Sequence, residues 1–342
     1  MTQAPTPLVH GPPDPVSDDQ SSPPVFIVGC PRSGTTLLRM MLDSHPDLAI
    51  PPESHFIPRV WAVRRRYEQD GAVKVNRMAA DIMRTNRFRE WGLREEEVWD
   101  RLRSITKPRI ADVIEAFFIA YADREGKRRW GDKTPGYSLD MLDIGKLFPT
   151  ARFVHLIRDG RDVATSIRDN FEDVGNVDAA LVWAMRVRKG HAQGRVLGSA
   201  RYLEVRYEDL VKDPRGALTQ ICDFVALDYR PEMLEYSRRV HEAVPESEQG
   251  RIHTRLLKSP TKGLRDWRRE MSSSELALFE ALAGRELEQF GYHRAMPDLS
   301  ASVRVRAVAA FVANGSRRLR WKVRTTALAT FKRDGLPPAR RW

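Results

Sequence analysis

Between Gly29 and Gly34 the chain reads Gly-Cys-Pro-Arg-Ser-Gly, and Thr35 and Thr36 follow. These residue types can hold a phosphate. Glycines let backbone N–H groups converge, and Ser33, Thr35, Thr36 and Arg32 add donors. The spacing Gly29-x4-Gly34 is that of a phosphate-binding P-loop. Thr35 stands where a nucleotide hydrolase of that kind has lysine, and a cation comes earlier, at Arg32. The loop is expected to grip a 5′-phosphate without a lysine that reaches a γ-phosphate. An ordinary βα turn is the plainer alternative, and the three hydroxyls and the arginine weigh against it. Three further features invite chemistry. Arg158 and Ser166, eight positions apart, can clasp a second phosphate, or Arg158 can simply pair with Asp159 or Asp162. Glu53, between Pro52 and Ser54, suits a general base or an ordinary surface carboxylate. Lys133, in Gly131-Asp-Lys-Thr-Pro135, suits a leaving-group cation or a plain loop lysine.

The elements that must position these residues are legible as periodic runs. Val25 to Val28 reads as a buried strand, and Thr35 opens a helix with Leu37, Leu38, Met41 and Leu42 along one side, broken near Pro46. Leu48 to Ile50 is extended, residues 56–69 read as helical, and residues 74–124 form a helical insert. A short strand runs through Arg128 to Pro135, then a helix over Leu139 to Phe148. Arg152 to Ile157 is the second strong strand, followed by a helix through Val163 to Ile167 and another over Ala179 to Gln193. Tyr202 to Arg206 is a third strand, Pro214 to Val225 a helix, residues 242–261 a long loop, and Ser274 to Phe290 a capped helix. Strands separated by helices predict an α/β fold, a P-loop NTPase-like three-layer sandwich with a central parallel sheet. Ligands bind at the carboxyl ends of such strands. Pro31 to Thr36, Arg158 to Ser166 and Tyr207 to Asp209 should therefore face one crevice.

The expected organisation is a disordered Pro/Ser/Asp-rich leader over residues 1–24, one domain over 25–299, and a basic helical C-terminal extension over 300–342. The net charge is +11, and residues 301–342 carry eleven Lys/Arg against Asp334 alone. The remaining 300 residues hold only about +1, so the charge belongs to the tail and no nucleic-acid partner is expected. Leu319, Val323, Ala327 and Phe331 recur at four-residue spacing between arginines, the pattern of a helix that lies on an anionic membrane; a solvated or subunit-packing extension is the alternative. Cys30 and Cys222 are too few and too distant for a disulfide framework and read as free thiols of a reducing compartment. No signal peptide or spanning run is visible, so a cytoplasmic place is expected, with the tail at the inner face of the membrane.

Together these motifs resemble the sulfotransferases that use 3′-phosphoadenosine 5′-phosphosulfate (PAPS). Pro31-Arg-Ser-Gly-Thr-Thr-Leu37 is similar to their 5′-phosphosulfate loop, and Val154 to Ser166 to their 3′-phosphate segment, with Arg158 and Ser166 at the family spacing. Arg206 to Leu210 and Lys262 to Trp267 match further elements, so the resemblance spans about residues 25–292. Within the superfamily the likeness is greatest to tyrosylprotein-type and related bacterial enzymes, through Pro31 to Leu37 and the Asp-x-His-Pro-Asp run Asp43 to Asp47. The resemblance implies that Glu53 is the catalytic base, that Lys133 and Arg32 stabilise the leaving group, and that Pro31, Arg32, Ser33, Gly34, Thr35 and Thr36 hold the 5′ end. It further implies that Arg158 and Ser166 hold the 3′-phosphate, that Tyr207 borders the adenine, and that Lys262 and Gly263 close over the cofactor. PAPS would be the sulfuryl donor, 3′-phosphoadenosine 5′-phosphate (PAP) the product, and no metal would be required.

The acceptor would be a hydroxyl of a small molecule, glycan or lipid, with the insert at 74–124 and the loop at 242–261 walling its pocket; a homodimer is compatible with the pattern. His55 stands where tyrosylprotein enzymes place an arginine that holds an acidic peptide, which weighs against a protein-tyrosine acceptor. The cytosolic branch's histidine base has no match here, and His155 reads as packing within its strand. The rival enzyme is an ATP-using P-loop kinase or NTPase, which needs the Walker lysine and a Mg²⁺-holding carboxylate, for which Asp159 is the nearest candidate. A non-enzymatic scaffold with a basic tail leaves both phosphate motifs unexplained.

Overall fold

The computed structural model describes residues 22–170, 174–239, 266–313 and 336–337. Strand β1 (Val25–Gly29) is buried at every position. Its side chains alternate between two cores, as the pleat requires. Val25 and Ile27 pack with Leu38, Met41 and Leu218, while Phe26 and Val28 face Phe117, Phe118 and Phe153. The helix α1 (Thr35–Asp43) follows, then β2 (Leu48–Ala49) and α2 (Ile57–Ala62). A small antiparallel hairpin joins β3 (Glu68–Gln69) to β4 (Ala72–Val73). The helices α3 (Val75–Met83), α4 (Asn86–Arg89), α5 (Glu95–Arg103) and α6 (Ile110–Arg124) fill the next fifty residues. Then come β5 (Arg129–Lys133), α7 (Met141–Leu147), β6 (Arg152–Ile157), α8 (Gly160–Asn170), α9 (Asn176–Leu197) and β7 (Tyr202–Arg206). The chain continues through α10 (Tyr207–Lys212), α11 (Pro214–Val225), α12 (Trp267–Glu270) and α13 (Ser273–Gln289), and residues 301–313 are helical.

Five strands form one sheet in the order β2-β5-β1-β6-β7, and every pair in it is parallel. From β1 the chain turns toward β2 and β5; from β6 it turns the other way, to β7. The strand order therefore reverses between β1 and β6, the point at which open α/β sheets bind ligands. Helices cover both faces, so the α/β, P-loop NTPase-like architecture expected from the strand spacing is the one observed.

Several boundaries differ from those read in the sequence. The helix expected over 56–69 ends at Ala62, gives a short 3₁₀ turn at Arg64–Arg66, and yields to the hairpin. Asp70 and Gly71 both take positive φ, 50° and 77°, the Asp-Gly pairing that a tight two-residue hairpin turn favours. Tyr207 to Asp209, just past β7, form the first turn of α10. The helix α8 begins at Gly160, three residues before its expected start. A Cβ there would lie 2.4 Å from the Trp183 ring, so only glycine lets α8 and α9 approach this closely. Residues 1–21 of the leader, the loop at 242–261, Lys262 and Gly263, and the tail segment 316–332 lie outside the described residues. Among the described residues no helix is long and apolar enough to cross a membrane.

Candidate active site

The loop after β1 is shaped by one residue that must be glycine. Gly34 caps α1 in a left-handed conformation, φ 93°, and a Cβ on it would sit 2.5 Å from the Tyr207 ring. Arg32 also takes a positive φ, 73°, sparsely populated for a residue with a side chain. Its Nε donates to Ser166 Oγ at 3.1 Å, which ties the loop to α8. The Ser33 hydroxyl is buried and finds no hydrogen-bond partner among the described residues. A buried donor left so costs about 1–3 kcal/mol, which an oxyanion at the loop would recover. Cys30, in the same loop, is fully buried, and burial pushes its thiol up to about 12, so it is inert packing.

Arg158 ends β6 at the same crevice and is almost entirely buried. Its guanidinium lies 4.4 Å over the Tyr207 ring, and its Nη2 reaches Asp162 Oδ2 only at 3.4 Å. Its Nε is buried without a partner among the described residues. Tyr207 is thus a floor under both Gly34 and Arg158. Burial raises the Asp162 carboxyl against the pull of Arg158, and its Oδ1 accepts from the Trp267 N–H at 2.9 Å. Of the two pairings foreseen for Arg158, that with Asp162 exists at this long distance. Asp159 is committed elsewhere, to the buried Arg161 at 2.7 Å, and Arg161 also binds Glu280 at 2.8 Å.

Glu53 and Lys133 meet. Lys133 ends β5 with its side chain 2% exposed, and its Nζ lies 2.6 Å from Glu53 Oε1 and 3.4 Å from Thr36 Oγ1. The lysine therefore stands between the anion loop and the carboxylate. His55, at φ 54°, places its Nε2 2.7 Å from Glu53 Oε2. Burial pushes the Glu53 carboxyl up, but the charge of Lys133 and the hydrogen bond and charge of His55 outweigh it. They hold the group well below the usual carboxylate range.

A buried polar network sets this pair and was not foreseen from the sequence. The Ser54 hydroxyl donates to Asp132 Oδ2 and meets Tyr137 OH at 2.7 Å, while the Ser54 N–H donates to Thr134 Oγ1 at 3.2 Å. Thr134 Oγ1 donates to Asp132 Oδ1 at 2.7 Å, and the Ile57 N–H donates to Tyr137 OH at 3.1 Å. The segment that bears Glu53 is thereby fastened to the strand that bears Lys133. Burial raises the Asp132 carboxyl to about 6 despite the Ser54 and Thr134 hydrogen bonds. The only sequence signal is adjacency: Ser54 follows Glu53, and Asp132 precedes Lys133. The run Asp43 to Asp47 fixes the far end of the same segment. Asp43 Oδ1 accepts from the Ile50 N–H at 2.8 Å, and His45 Nδ1 from the Asp47 N–H at 3.0 Å. Arg186 was missed as well: it lies buried on α9, close enough to Cys30 for its charge to act on the thiol. His155 is packing, as expected. It is fully buried beneath Gly190, holds Tyr202 OH at 2.6 Å, and burial lowers it to about 4.

The structure thus brings Arg32, Ser33, Gly34, Thr35, Thr36, Glu53, Lys133, Arg158, Ser166 and Tyr207 to the carboxyl ends of β1, β2, β5, β6 and β7. A family model described as the sulfotransferase family matches residues 23–231, more than half of the chain. The chain belongs to the sulfotransferase family. Among sulfotransferases of known structure, the sulfotransferase domain of the Synechococcus PCC 7002 olefin synthase is 30% identical, with a TM-score of 0.56. The match covers 80% of this chain and 97% of that domain. Protein-tyrosine sulfotransferase A of Caenorhabditis elegans is 26% identical over 255 residues, 71% of this chain and 60% of that protein. Protein-tyrosine sulfotransferase 2 of Gallus gallus is 26% identical over 226 residues, 64% of this chain and 55% of that protein. The chain spans between half and two thirds of the length of these two relatives.

Proposed function

We propose that this sulfotransferase moves the sulfuryl group of PAPS to a hydroxyl of its acceptor and releases PAP. The observation that carries the reading is the junction of two anion-binding clusters with a carboxylate–lysine pair at one switch-point crevice. The residues present fit the donor. The buried Ser33 hydroxyl and Arg158 Nε lack partners among the described residues and are suited to a 5′-phosphosulfate and a 3′-phosphate. Gly34 lets the loop pack directly on the Tyr207 ring, where a Cβ would clash. Bound PAPS supplies an activated sulfuryl group whose departure leaves negative charge on the bridging oxygen.

The rest is the work of the chain. The loop N–H groups, Ser33, Thr35 and Thr36 orient the 5′ end, and Arg158 and Ser166, joined to the loop through Arg32, fix the 3′ end. Lys133 offers its charge to the leaving oxygen. Because Lys133 also pairs with Glu53, an anion on the loop draws part of that charge away and raises the basicity of the carboxylate. Glu53 then accepts the proton of the acceptor hydroxyl, a contribution of about 10²–10⁴ in rate. His55 on Glu53 Oε2 keeps the other oxygen, Oε1, turned toward Lys133. No step requires a metal. The ATP-using alternative is not favoured: Thr35 replaces the lysine, and Asp159, its best metal-holding carboxylate, is bound to Arg161. Thermal unfolding with each nucleotide tests the choice. PAP at a hundred times its Kd should add about 2.7 kcal/mol of stability, a rise of a few degrees in Tm. A rise with ATP and Mg²⁺ but none with PAP would reverse the assignment.

A further inference from the structure

The helix over residues 301–313 is apolar on both sides. Its inner side is ordinary: Ala307 is buried, and Val303 and Ala310 are half-buried against the domain. At 3.6 residues per turn the opposite side collects Ala301, Val305, Val308, Ala309 and Val312. Val305 is 68% exposed, Val308 65% and Val312 63%, with Phe311, at the edge of the arc, at 61%. A helix at the surface of a soluble domain is normally polar there. Arg304 and Arg306 project from the two margins of this apolar arc, and both are exposed. Along one flank of the helix, between it and α13, lies a cavity of about 480 Å³ bordered by Arg285, Arg294 and Arg304 together with Leu282, Val308 and Phe311. Arg294 is paired with Glu288 at 2.9 Å, whereas Arg285 and Arg304 are exposed at the cavity mouth. Beyond residue 313 the sequence adds nine Lys/Arg and one acidic residue, Asp334.

We infer that the outward face of this helix is a docking surface for an anionic membrane. An apolar arc with cations on both margins is the cross-section of a helix lying at the headgroup boundary. The outward valines enter the acyl edge, while Arg304 and Arg306 stay level with the phosphates. Charge selects the occupant. A second copy of this chain would bring two sets of Arg304 and Arg306 together, and like charges repel. An anionic lipid surface is complementary to all of them, and each basic residue near it is worth about five-fold in binding. The phosphate backbone of a nucleic acid would match the arginines but leave the exposed valines and Phe311 in water.

The test is co-sedimentation of the full chain with phosphatidylcholine vesicles and with 3:1 phosphatidylcholine/phosphatidylglycerol vesicles at physiological salt. The wild type should pellet with the anionic vesicles and remain in solution with the neutral ones. V305D/V312D, with both substitutions on the exposed side, should keep the wild-type Tm and lose about ten-fold or more of its anionic-vesicle affinity. R304Q/R306Q should lose about as much, through charge rather than apolar contact. Absence of wild-type binding, or equal binding by V305D/V312D, overturns the inference. So does a wild-type dimer in sedimentation velocity that V305D/V312D dissociates while neither protein binds vesicles, since the face would then belong to a second copy.

Discussion

Replacing Arg158 with alanine should destroy the preference for a 3′-phosphate. The guanidinium is buried, braced over the Tyr207 ring at 4.4 Å, and held by Asp162 only at 3.4 Å. Its Nε has no partner among the described residues. It is therefore oriented before any ligand arrives, and little of its binding contribution is spent on ordering. Each hydrogen bond from a charged donor contributes about 1.5–3 kcal/mol, so the loss of one or two bonds amounts to about 2–5 kcal/mol. PAP should weaken by at least about 30-fold, since each 1.4 kcal/mol is tenfold in affinity. AMP, which lacks the 3′-phosphate, should change by less than about threefold, the residue of a disturbed Tyr207 floor. Arg158→Lys retains charge without the fork and should fall between. Calorimetric titration of both nucleotides into the three proteins reads these values without an acceptor. Equal weakening of PAP and AMP, or a PAP affinity within threefold of the wild type, would refute the assignment of Arg158 to the 3′-phosphate.

Glu53→Gln should lower kcat by about 10²–10⁴ while PAP affinity stays within a few-fold, because the loop and Arg158 are untouched. Turnover within tenfold of the wild type would remove Glu53 from the role of base. Lys133→Ala should lower kcat by at least about 10² through loss of charge at the leaving oxygen, and a change confined to KM would contradict that role. Asp132 gives a stability signature. Its carboxyl titrates near 6 in the folded chain against about 3.8 unfolded, so the fold retains this proton longer than the unfolded chain does. The stabilisation from that proton, about 3 kcal/mol in all, is complete only well below pH 3.8 and is lost as pH rises through 6. Urea unfolding of wild type and Asp132→Asn at pH 4 and pH 7 should therefore show the wild type losing about 2 kcal/mol relative to the variant; a pH-independent difference would contradict the buried-acid reading.

What the sequence disclosed was local, and what it concealed was assembled across distance. The P-loop was legible because strand, glycine spacing and helix start lie within twenty residues, and Arg158 with Ser166 because one strand and one helix carry both. The parallel sheet followed from strands separated by helices. The Glu53–Lys133 pair spans eighty positions, and no spacing rule connects them. Without the family resemblance Glu53 read better as a surface carboxylate than as a base. The Ser54–Asp132–Thr134–Tyr137 network was invisible for the same reason. Tyr207 was placed beside the site but not beneath Gly34, because its packing depends on which strand neighbours β6. The helix ending at Ala62 was overextended because several arginines suggested a solvated helical face. The Asp70-Gly71 turn was the contrary local signal.

Transfer of label from [³⁵S]PAPS to a panel of phenols, sugars, lipid and natural-product alcohols, followed together with PAP release, tests the central claim most directly. Label should appear on an acceptor oxygen in equal amount to PAP formed, and Glu53→Gln should suppress both together. Absence of transfer from PAPS across the panel, with phosphoryl transfer from ATP and Mg²⁺ to one of the same acceptors, would contradict it.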